Sequence, residues 1–141
     1  MELSHAIATN KPKSIENLFR EMASEVLECV KDMNGKLLFA ADVKEGVVSS
    51  ALVYEKSAEK FPTFKFASSL LNDLAYELWE KWREDPKNAG WQGLEFVVLN
   101  GDFHFVFTYP DQLVADEDFD DRRESIFERH FGKKKIDYSN P

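Results

Sequence analysis

The chain has 141 residues, enough for one domain with a real core: 43% are hydrophobic and 13% aromatic, including twelve Phe and three Trp. Its formal net charge of −8 disfavours nucleic acid and anionic membranes as partners and favours a basic protein surface. No apolar run approaches the roughly 18 residues that a membrane-spanning helix requires, and the sole cysteine, Cys29, rules out an internal disulfide and a cysteine-rich metal site.

The opening Met1-Glu2-Leu3-Ser4-His5 lacks a basic stretch leading into an apolar one, so no secretory signal is expected and the cytoplasm is the expected compartment. Residues 1–13 are polar and read as a loose lead-in. Ser14 then offers a helix cap, with Glu16 in the first turn. Apolar residues at Ile15, Leu18, Phe19, Met22, Val26, Cys29, Val30 and Met33 have the spacing of one helical face, which Asn34-Gly35 stops.

From Lys36 the pattern changes. Leu37–Val43 and Val47–Tyr54 read as strands joined through Lys44-Glu45-Gly46, and Ser57–Pro62 reads as a loop. Phe66, Leu70, Leu71, Leu74, Leu78 and Trp82 mark a second amphipathic helix running to about Glu84. Asn100-Gly101 is the favoured pair of a two-residue type I′ turn, and it sets the register of a second hairpin. One side of that hairpin carries Leu94, Phe96, Val98, Phe103, Phe105 and Phe107. The other carries Glu95, Val97, Leu99, Asp102, His104, Val106 and Thr108. Six large apolar side chains on one face demand a cover, and the two helices are the available lids. Phe119, Ile126, Phe127, His130 and Phe131 line a third helix closed by Gly132, and 133–141 reads as a loose tail or a short appendage. The expected fold is therefore one α+β domain over 1–141. It has three helices and an antiparallel sheet of about four strands from two hairpins, in the order α-β-β-α-β-β-α.

Catalytic signatures are sparse. The three histidines, His5, His104 and His130, stand at no metal-ligand spacing to one another or to Cys29. Cys29 shares a helical face with Met22, Val26 and Met33, beside Glu25 and Glu28, and reads as a small hydrophobe rather than a nucleophile. No glycine cluster precedes a helix to cradle phosphate. An EF-hand loop starting at Asp116 would need Gly where Asp121 stands and Glu where Phe127 stands. No cofactor or metal is expected. The sole basic cluster, Lys133–Lys135, has no interleaved aromatics, so nucleic acid is not an expected ligand either.

The charge layout after the second hairpin stands out. Asp111, Asp116, Glu117, Asp118, Asp120 and Asp121 fall within eleven positions that contain no basic residue. Two or three such acids would favour the positive end of the third helix. Six exceed that need, and their mutual repulsion is offset either by solvation of a loop or by a basic partner. Asp102 and His104, on the hairpin's mixed face, extend the candidate partner-binding set.

These residues also carry a resemblance. Gly93-Leu94-Glu95-Phe96, the run Phe103-His104-Phe105-Val106-Phe107-Thr108-Tyr109, the acid at Asp111, then Asp121-Arg122-Arg123 and a helix bearing Phe127 and Phe131 resemble the YezG-like immunity proteins. Those are antitoxins encoded beside secreted polymorphic toxins and often paired with nucleases. The resemblance implies a non-enzymatic inhibitor that binds one cognate toxin, by occupying its basic substrate cleft or by binding beside it. Two other functions remain open from the residues: a small hydrolase using His104 and nearby carboxylates, and a regulatory adaptor docking through Trp79, Trp91 and the acidic loop.

Overall fold

A computed structural model describes residues 14–57, 61–114 and 117–139. Its first helix, α1 (Ile15–Cys29), starts where Ser14 accepts a hydrogen bond from the Asn17 amide at 3.1 Å, and it buries the stripe Leu18, Met22 and Val26. The helix ends before the Asn34-Gly35 stop that the apolar pattern suggested. Val30 takes an extended conformation and turns its own side chain into the core, while Lys65 Nζ donates to the released Cys29 carbonyl at 2.8 Å.

Strands β1 (Leu37–Lys44) and β2 (Val47–Tyr54) form a hairpin whose turn residues Glu45 and Gly46 both have positive φ, 54° and 78°. That is the two-residue turn geometry that matches strand twist. A third strand, β3 (Thr63–Lys65), pairs with β2 and was not expected. Three residues beside Pro62 are too few to show a period of two. Phe66 is not part of α2 (Ser69–Arg83), where Ser68 accepts from the Leu71 amide at 3.1 Å; its ring instead meets Phe64 edge-on. Strands β4 (Gly93–Leu99) and β5 (Asp102–Thr108) pair in the register the Asn100-Gly101 turn dictates, with Leu99 opposite Asp102 and Phe96 opposite Phe105. Helix α3 (Phe119–Phe131) ends at Gly132, whose φ is 74°.

Among the described residues the fold is α+β: three helices and a five-stranded antiparallel sheet in the order β3-β2-β1-β4-β5, with element order α-β-β-β-α-β-β-α. The sheet has a core on each face. On one, α1 and α2 cover Leu37, Phe39, Leu52, Leu94, Phe96 and Val98. On the other, α3 packs Phe119, Ile126, Phe127 and Phe131 against Leu38, Ala40, Val53, Phe64 and Val97. Central β1 is consequently buried from Leu37 through Val43. The tail is tied down: Asp137 forms a parallel bridge with Thr63, accepts from the Phe64 amide at 2.9 Å and donates to the Pro62 carbonyl at 2.8 Å. Among the described residues no helix is long and apolar enough to cross a membrane.

Candidate partner-binding surface

The chain leaves β5 through Tyr109 into a single 3-10 turn, Pro110–Gln112, pinned by the Gln112 side chain accepting from the Tyr109 amide at 2.8 Å. This turn holds Asp111 in solvent. Glu117 is half-buried beside a small cavity of about 240 Å³ lined also by Glu95, Thr108, Gln112, Ser125 and Arg129. Asp118 caps α3. Its carboxylate accepts from the Asp121 amide at 3.0 Å, and the Asp121 carboxylate accepts from the Asp118 amide at 3.1 Å. Two acids of the run therefore build the helix start, a reciprocal capping box. Asp120 is exposed in the first turn. Asp116 lies outside the described residues.

None of Asp111, Glu117, Asp118, Asp120 and Asp121 forms an ion pair among the described residues. The nearest basic residues in sequence turn elsewhere. Arg122 pairs with Asp42 of β1, both side chains being almost fully buried. Gln92 Nε2 supports the same carboxylate at 3.2 Å. Gly93 nearby lets β5 approach closely, because a Cβ there would sit 3.1 Å from Thr108 Cβ. Arg123 lies over the rings of Phe64 and Tyr138, 5.7 and 5.8 Å from their centroids.

A second buried acid lies one strand over. Glu95, 4% exposed in β4, receives both Arg129 guanidinium nitrogens at 2.9 and 3.1 Å, and His130 Nε2 lies 2.6 Å from its Oε1. Burial by itself pushes the Glu95 carboxyl up. The hydrogen bonds from His130 and Arg129, with their charges, outweigh burial and hold it below the ordinary carboxylate range. Thus the mixed side of β4 is covered by α3, and its acid is an anchor for that helix.

Asp102 and His104 are exposed on β5, and no hydrogen bond joins them. Asp102 sits at the hairpin tip, on the order of 20 Å along the strand from Thr108, so the structure does not gather it with the acidic segment. His104 lies between. The docking face suggested by Trp79 and Trp91 is not formed: Trp91 is 1% exposed, and the Trp79 indole N–H donates to the Trp91 carbonyl at 2.9 Å. Cys29 is half-buried on α1, its Sγ 3.6 Å from a Glu25 carboxylate oxygen. Among the described residues no group of three His, Cys, Asp or Glu side chains is placed to hold a metal ion.

Sequence reasoning missed the pairs Asp42–Arg122 and Glu95–Arg129–His130. Their signal was present: an acid inside each of two otherwise apolar strands, and cations spaced seven and eight positions apart on one helix face. Comparison of the chain with protein-family models gives no match, and comparison with curated proteins gives none.

Proposed function

We propose that this protein is an immunity protein, which binds a cognate toxin, of the nuclease class, and blocks its basic substrate surface without itself performing catalysis. The observation that carries the reading is the division of charge in the last third of the chain. The acids of 111–121 that the structure describes have no cationic partner among the described residues, while Arg122 and Arg129 are spent on internal acids. Repulsion within such a run is relieved when a cationic surface meets it, and the same field accelerates encounter. A basic cleft shaped for phosphates is the complementary object. The contacting residues are Asp111, Asp116, Glu117, Asp118, Asp120 and Asp121, with Asp102 and His104 at the margin.

The test is co-expression with the product of the adjacent open reading frame. Rescue of growth and co-purification of the two chains support the reading. A neighbouring product that is harmless, or one that remains toxic and unbound, contradicts it.

A further inference from the structure

The two edges of the sheet are treated differently. Edge strand β3 has three residues and is closed by the tail, through the Phe64–Asp137 and Asp137–Pro62 backbone bonds. Edge strand β5 has seven residues, and among the described residues no backbone or side-chain group hydrogen-bonds to its outer side. Long open edges are templates for pairing, and proteins that stay monomeric blunt them with lysine, proline, bulges or a covering segment. Asp102-Phe103-His104-Phe105-Val106-Phe107-Thr108 contains no lysine and no proline, and its pairing with β4 is unbroken over all seven residues.

The hairpin geometry fixes which groups are free. Asn100 and Gly101, with φ of 53° and 81°, make a two-residue type I′ turn, so Leu99 and Asp102 form the first hydrogen-bonded pair. Alternation along the ladder then turns His104 and Val106 toward β4 and leaves the N–H and C=O of Phe103, Phe105 and Phe107 pointing outward.

The geometry points to a second copy of this chain as the occupant: β5 pairs antiparallel with the same strand of the other copy, about a twofold axis at Phe105. In that register the sequence complements itself. Phe105 faces Phe105, Phe103 faces Phe107, His104 faces Val106 and Asp102 faces Thr108, with no like charges opposed. The outward groups of the three phenylalanines supply about six backbone hydrogen bonds. Phe103 and Val106, 42% and 46% exposed on opposite faces of one copy, each gain a neighbour across the axis. Two chains of net charge −8 repel, so the pairing belongs to physiological ionic strength, where repulsion is screened beyond about 8 Å. The assembly does not rest on the toxin-binding reading, although its seam takes in Asp102 and His104 from the margin of that surface.

The test combines sedimentation with amide hydrogen exchange on the full chain across a wide concentration range. The expected result is a mass that doubles with concentration, with protection of the Phe103, Phe105 and Phe107 amides appearing alongside it. His104 and Val106 are protected at every concentration. Phe103→Lys and Val106→Lys, each checked for an intact fold by circular dichroism, should raise the dimer dissociation constant at least about tenfold. Three results overturn the inference: a monomer at all concentrations, a dimer in which the three amides still exchange freely, or protection of those amides that does not vary with concentration.

Discussion

His130 Nε2 lies 2.6 Å from Glu95 Oε1, joining the last turn of α3 to the middle of β4 across thirty-five positions of sequence. With the bidentate Arg129, this contact fixes how α3 lies on the sheet, and hence where the acidic segment entering that helix is displayed.

The Glu95 anchor gives a pH dependence with a definite sign. Its carboxyl titrates lower in the folded protein than the ordinary value of about 4.3. Within that window the unfolded chain binds more protons, so the stabilisation is complete above the unfolded value and fades as pH falls through the folded one. Glu95→Gln should cost about 1–3 kcal/mol near neutrality, since Arg129 can turn to solvent but His130 is largely buried. Urea unfolding at a series of pH values should show the gap between wild type and variant narrowing in acid.

Asp42 depends on Arg122 more strictly, because both are buried. Arg122→Met leaves a carboxylate 4% exposed with only Gln92 beside it, and should cost about 3–5 kcal/mol in denaturant unfolding. Adding Asp42→Asn to that variant should recover much of the loss, since the unpaired charge disappears.

The acidic run has two duties that substitutions separate. Asp118→Ala removes a cap and should lower stability by about 1 kcal/mol. Asp111→Ala touches an exposed side chain and should stay within about 0.5 kcal/mol of wild type. Thermal unfolding distinguishes the two.

Much of the fold was legible because its signals are local. The Asn100-Gly101 turn fixed the β4–β5 register, and Ser14 and the apolar stripe behind it located the start of α1. What escaped depends on tertiary context. Strand β3 exists through pairing with β2 and the tail, not through its own three residues. The ends of α1 and α2 moved because Val30 and Phe66 found partners off the helix. Periodicity placed Glu95 on the mixed face correctly, yet it could not reveal that α3 would cover that face or that the helix would bring Arg129 and His130 to meet it. For the candidate surface, the sequence located the acids, whereas the lack of a cationic partner for the described ones emerged only from where Arg122, Arg123 and Arg129 point.

The most direct measurement is the affinity for the cognate toxin of the triple variant Asp111→Lys, Glu117→Lys, Asp120→Lys, which spares the Asp118–Asp121 cap. The account predicts a dissociation constant raised by about a hundredfold or more, mainly through slower association, with the difference shrinking as salt rises. A folded triple variant that binds the toxin as tightly as wild type would contradict it.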